Sequence, residues 1–242
     1  MFMLLAFAAG LVRGYSGFGF AMLLSLGLLT TRAPALVVPV SLMLDLVCSI
    51  SLWPGAVRSF HRAVGGRLIV GMLVAVPIGA MLLTLVPGRW MAPVIACLCL
   101  LGGLLVLWCP TMDLPVSPNT ALAFPAGFAA GLAMSMASAG GPPLILYLLH
   151  SGLDAARMRA TAILFFVASS GASLLGLWWL GALGQAHLTL AGSLLIPAVA
   201  GNLLGQFLHR HWQPFSMRLV VGVLLVVMSA ASLVASVSRL VA

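Results

Sequence analysis

The chain contains no lysine and no glutamate, and only three of its 242 residues are acidic. Its charge consists of eleven arginines set against Asp45, Asp113 and Asp154, together 6% of the residues, while 63% are hydrophobic. So sparse a polar complement cannot cover the surface of a soluble domain, and a mean hydropathy of +1.22 points to an all-α polytopic membrane protein. The formal net charge is +8, yet the arginines stand singly or in short clusters between apolar runs. They form no basic stripe, which excludes nucleic acid as a partner and marks them as topology signals at a membrane surface. CxxC pairs and Cys/His zinc spacings are also missing: Cys48, Cys97, Cys99 and Cys109 sit in or at the ends of apolar segments and read as structural thiols. No metal or cofactor is expected. The first charge, Arg13, already lies inside the first apolar stretch, so a signal peptide's charged leader is lacking and that segment is expected to stay in the protein. Arginine-only basic usage with abundant Ala, Gly and Leu suggests a GC-rich bacterial genome, hence a bacterial inner membrane.

What the chain does have is apolar length. Runs fall at 2–30, 34–53, 68–86, 92–109, 121–149, 158–180, 188–208 and 215–237. Each unbroken run is long enough to cross a hydrocarbon core of roughly 30 Å. The first and fifth are broken. One is interrupted at Arg13-Gly14-Tyr15-Ser16-Gly17-Phe18-Gly19, the other at Ser135-Met136-Ala137-Ser138-Ala139-Gly140-Gly141-Pro142-Pro143. The chain reads as one transporter domain, 1–242, in two homologous halves: 1–110, a proline-bearing linker at 111–120, and 121–242. Val76-Pro77 matches Ile196-Pro197, and Gly88-Arg89-Trp90 matches Arg210-His211-Trp212, at the offset that also relates the two breaks. Three matches in one order point to duplication.

Each limb of a broken segment reaches only about the membrane midplane. If both broken segments are re-entrant hairpins, each half adds three crossings and the halves are inverted. Arg58, Arg62, Arg67, Arg157, Arg159, Arg210 and Arg218 then share one face, leaving Arg32, Arg89 and Arg239 on the other. Full crossings give a nearly even split, so the positive-inside rule favours hairpins, with both termini outside and the linker inside.

Lipid cannot satisfy unwound backbone, so such breaks survive only inside protein or beside a cavity. The free N–H groups at the start of a half-helix carry partial positive charge and suit an anion. Candidate binding residues are therefore Arg13, Gly14, Ser16, Gly17 and Gly19 in the first break, and Ser135, Ser138, Gly140, Gly141 and Pro142 in the second. Arg13 adds forked donors that match oxyanions; its plain alternative is a side chain snorkelling to an interface. Asp45, deep in its segment, reads as a proton-coupling group or a resting partner of Arg13. The plain alternative is a carboxyl held by Ser41 and Ser49, four residues away on either side. Gly201 and Gly205 read as packing positions, with Asn202 and Gln206 able to line a path.

The Gly10-Leu-Val-Arg13-Gly14-Tyr-Ser-Gly17-Phe-Gly19-Phe and Ser138-Ala-Gly140-Gly141-Pro142-Pro143 motifs, with Tyr147-Leu following, resemble the sulfite exporter TauE/SafE family. The resemblance extends over the whole chain. Phe20-Ala21 stands where many members continue with glycines. It implies a membrane transporter for small anions, chiefly sulfite and organosulfonates, in the bacterial cell membrane. Secondary transport of such an anion through a midplane site, with protons as a coupling partner, is the leading expectation. Membrane lipid is its surroundings, and a homo-oligomer is left open. Two other classes are weighed. Gly14-Tyr15-Ser16-Gly17 has the form found around an intramembrane serine nucleophile, with His150 or His187 as base; a passive anion channel is the other. Repetition of the break argues against the hydrolase, since catalysis needs one nucleophile.

Overall fold

The computed structural model describes residues 2–108, 120–211, 223 and 226–234; Cys109, Asp113, the linker at 111–119, Arg218, Arg239 and most of the last apolar run lie outside them. The described residues are helical throughout. They form α1 (Phe2–Ser16), α2 (Phe20–Leu29), α3 (Pro34–Ala56), α4 (Arg62–Leu85), α5 (Gly88–Trp108), α6 (Ala123–Ala137), α7 (Gly141–Leu149), α8 (Ala155–Trp179) and α9 (Gln185–His211). Five of these, α3, α4, α5, α8 and α9, are long and apolar enough to cross a membrane. The protein is thus a multi-pass membrane protein, and the two broken runs are pairs of short helices.

Helix ends follow local chemistry. Pro34 opens α3, where its missing N–H costs nothing. The Asp154 carboxylate caps α8 by accepting from the Arg157 N–H at 2.8 Å. The long helices overrun the apolar segments at the arginine-bearing ends, taking in Arg62 and Arg67 in α4, and Arg157 in α8. Hydropathy marks only the stretch that sits in hydrocarbon, while backbone hydrogen bonding continues into the polar zone.

Both breaks are built from left-handed residues. Gly17 and Gly19 have φ of 84° and 92°, and Ser138 has φ of 55°, the one non-glycine at positive φ among the described residues. The left-handed Ser138 donates its N–H to the Met134 carbonyl at 2.9 Å, closing α6 in an αL cap, and the Ala139 N–H reaches back to the Ala133 carbonyl at 3.0 Å. In each pair the second helix folds back on the first: a Cβ on Gly27 of α2 would strike Leu5 of α1, and one on Gly140 would strike Ala130 and Met134 of α6.

The pairs are clamped by glycine. Gly10 and Gly14 of α1 press on the backbone of Ala198 and Asn202, while Gly201 and Gly205 of α9 press on Phe7 and Leu11. A like contact joins α4 and α6, where Gly71 meets Phe124, and Gly127 and Gly131 meet Leu68 and Met72. Rising residue numbers pair with rising ones in both contacts, so α1 runs parallel to α9 and α6 parallel to α4. The end of α4 and the start of α9 share a cavity, lined by Leu83 to Val86 and by His187, so these two run in opposite directions. Without a hydrophobic drive in lipid, such close backbone approach supplies the packing.

The outer surface is apolar: Val70, Leu73, Val74 and Ile78 of α4 and Ile196, Leu203 and Phe207 of α9 are exposed. Trp90, Trp178 and Trp179 project at helix ends, as tryptophans do at a lipid interface. Inside lie α2 and most of α3.

Adding a side chain at a glycine clamp forces the helices apart. Gly201→Val is expected to lower stability by about 1–3 kcal/mol, the usual cost of overpacking, whereas Gly192→Ala, with open space around its Cβ, is expected to change little. Thermal unfolding in detergent compares them; equal midpoints would deny the clamp its role.

Candidate functional site

Arg13 is a charge placed where no water reaches. It projects from the last turn of α1, fully buried. Its Nη1 lies 3.2 Å from Asp45 Oδ1 on α3, with both side chains about 1% exposed. Nη2 donates to the Ser49 hydroxyl, which in turn donates to the Asp45 backbone carbonyl at 2.6 Å. The other carboxylate oxygen, Oδ2, accepts from Ser170 of α8 at 2.8 Å. The guanidinium also lies over the Phe166 ring, 4.6 Å from its centroid, an arrangement that suits a poorly hydrated cation. Three helices thus converge on one ion pair. Burying two charges is expensive; the ion pair and the bonds to Ser49 and Ser170 offset that cost, while Arg13 Nε and Asp45 Oδ1 make no hydrogen bond.

Beside the pair lies a cavity of about 10 Å³, room for roughly one water. Gly19, Ala21 and Met22 of the first break line it from one side, Met134, Ser138 and Gly141 from the other, with Arg13, Asp45 and Phe166 completing the wall. A Cβ on Gly141 would sit 3.5 Å from the Met22 sulfur. The tips of the two broken segments meet here.

Of the residues singled out from the sequence, Arg13, Gly19, Asp45, Ser138 and Gly141 are brought together at this cavity. The Ser138 hydroxyl donates to the Val38 carbonyl at 3.3 Å, tying the second tip to α3. The others stand apart from its wall. Gly14 packs against α9, Gly17 against the Arg159 stem, and Gly140 against α6. Pro142 lies against Gly102 of α5, and Ser135 faces Gly79 while bonding the Gly131 carbonyl. Ser16 donates to the Val12 and Phe18 carbonyls at 2.7 and 2.9 Å. Its two suggested bases are engaged elsewhere, His150 with the Leu146 carbonyl and His187 with that of Ala35. Ser49 bonds Arg13 and the Asp45 backbone carbonyl, and the buried Ser41 hydroxyl has no hydrogen-bond partner. Asn202 donates to Cys48 O and Ser51 Oγ at 3.1 and 2.7 Å, holding α9 on α3.

Met22, Met134, Phe166 and Ser170 escaped the sequence reading, because apolar side chains and serines carry no signal in an apolar chain. Numbering could have found three of them. The shift that takes the end of α1 (Ser16) to the end of α6 (Ala137) also takes Arg13 to Met134, Asp45 to Phe166 and Ser49 to Ser170.

A sequence model of the sulfite exporter TauE/SafE family matches residues 2–232. The chain belongs to the sulfite exporter TauE/SafE family. Comparisons with curated proteins and with solved structures each find no significant match. As a TauE/SafE protein it is a membrane transporter of the sulfite or anion exporter type.

Removing one member of the buried pair leaves the other uncompensated. Arg13→Met and Asp45→Asn are each expected to destabilise the protein by about 3–5 kcal/mol, and the double variant by clearly less than the sum of the two. A double-mutant cycle of thermal unfolding measures the coupling; additive losses would mean that the pair does not interact energetically.

Proposed function

We propose that the protein is a secondary transporter that moves a small oxyanion, such as sulfite or an organosulfonate, through the cavity between the two tips. The observation that carries this reading is the meeting of both breaks at one cavity beside the Arg13–Asp45 pair. Two unwound segments that share a buried arginine form the kind of midplane site that transporters build from discontinuous helices.

The cavity holds about 10 Å³, far less than an oxyanion needs, so binding requires the tips to part. Arg13 must then exchange its partner. The incoming anion takes the guanidinium, and Asp45 either stays charged beside it or accepts a proton. Like charges at close range disfavour one another, so anion and proton bind in mutual support, with the coupling reciprocal. Anion binding therefore tightens as pH falls. Asp45 is the coupling group in this scheme, with Ser170 as the hydrogen-bond partner of its carboxylate that turns between the two protonation states.

The two halves, 1–110 and 121–242, are proposed as inverted repeats with re-entrant first segments. The parallel pairing of α1 with α9 and of α6 with α4, themselves opposed in direction, supports this. So does arginine placement. Arg58, Arg62, Arg67, Arg157, Arg159 and Arg210 lie toward the end of the molecule where α3 finishes and α4 and α8 begin, while Arg32 and Arg89 lie toward the other. By the positive-inside rule the first of these is the cytoplasmic face of the bacterial cell membrane, which puts both termini outside. Transition between outward and inward access would then follow from one tip withdrawing at a time.

Because the anion replaces the carboxylate as the partner of Arg13, sulfite is expected to raise the unfolding temperature of Asp45→Asn more than that of the wild type. An equal or smaller shift would sink the partner exchange. In proteoliposomes the same variant is expected to transport with little dependence on pH, and a wild-type pH profile would reject Asp45 as the coupling group. Labelling of tags at the two termini in intact cells is expected to find both accessible from outside; opposite sides would overturn the inverted arrangement.

A further inference from the structure

A second, larger cavity of about 740 Å³ lies at the arginine-rich end, between the end of α3, the start of α8 and the end of α9. Its polar lining consists of Ser51, Ser59, Arg159, Gln206, His209 and Arg210. No carboxylate lines it among the described residues. The nearest acid in sequence, Asp154, is tied to Arg157 through both its Nε at 3.2 Å and its backbone N–H. Ala155 and Ala156, the first residues of α8, also line the cavity, which brings the positive end of a long helix to it. Two buried donor or acceptor atoms here have no partner, Arg159 Nε and His209 Nδ1. Each such atom is costly to leave unmade.

Arg159 joins this cavity to the first break. Its Nη2 donates to the Gly14 carbonyl at 2.8 Å, in the last turn of α1, and its Cγ packs against Gly17 at the tip. It lies close enough to feel the charges of Arg13 on one side and Arg210 on the other. Exposure falls in the same order, from exposed Arg210 through partly buried Arg159 to fully buried Arg13. We infer that Arg159, with His209 and Arg210, forms a second oxyanion site, a staging point between solution and the central cavity. An anion held there takes a guanidinium that otherwise latches α1 by its carbonyl, so occupancy loosens the first tip. The site's existence rests on its own residues, and only the identity of its ligand rests on the function proposed above.

Calorimetric titration of the full-length protein with sulfite, in nanodiscs of zwitterionic lipid, tests this. Two binding events are expected in the wild type. Arg159→Gln is expected to abolish one and keep the other, while the Arg13→Met/Asp45→Asn double variant is expected to lose the opposite one. A single event in the wild type that survives Arg159→Gln would overturn the staging site and leave the central site standing. Loss of only the central event would leave the staging site standing alone. Should Arg159→Gln fail to fold, the exposed Arg210→Gln is expected to weaken the outer event about tenfold, the loss of roughly one charge-assisted hydrogen bond; unchanged affinity would count against the site. Repetition in nanodiscs rich in anionic lipid is expected to leave the outer event in place. Its displacement there would assign the cavity to lipid headgroups instead of a soluble anion.

Discussion

Everything at the centre of this molecule depends on the burial of one arginine. A guanidinium at membrane depth must be neutralised, and among the described residues Asp45 is the one carboxylate that pairs with it. Asp45 therefore fixes where α1 lies against α3. Ser170 then fixes α8 against the same carboxylate, and Phe166, one turn earlier on α8, covers the guanidinium face. The two breaks are held near this point because their free backbone groups need a polar interior as much as Arg13 does. One electrostatic requirement thus sets the positions of both tips.

The polarity of the centre is lopsided. The central cavity is lined by Arg13 and Asp45 together with Met134 and Phe166, and Ser49 and Ser170 both bond the ion pair. Charge is confined to the Arg13–Asp45 pair, with Phe166 stacked on the guanidinium, while Met22 and Met134 line the cavity beside it.

Much of this was legible in the sequence. Apolar runs separated by arginines marked the order of the five long helices among the described residues, since lipid imposes length and composition on each crossing; the sixth unbroken run, 215–237, lies mostly outside the described residues. Glycine, serine and proline in two apolar runs located both breaks to within a few residues, because positive φ and unpaired backbone demand those residue types. Arg13 and Asp45 stood out as isolated charges, and their partnership was among the options considered. The direct packing of Gly14, Ser135 and Pro142 against neighbouring helices was not legible: a glycine that admits a ligand and one that admits another backbone look alike in one dimension. Arg159 was hidden for the opposite reason. Surrounded by other arginines, it read as a topology signal, and only folding shows that it reaches Gly14 across the molecule.

The glycine clamps carry a mechanical consequence. Besides its ion pair to α3, the first helix pair is braced through α1 by glycine contacts against α9, and the second pair is braced through α6 against α4. Sequence halves and moving parts therefore need not coincide. If either tip withdraws, the piece that travels with it most readily is a composite, α1 and α2 with α9, or α6 and α7 with α4. Each composite draws on both ends of the chain. A gene split at the linker would yield two fragments, each missing the helix against which its own hairpin braces.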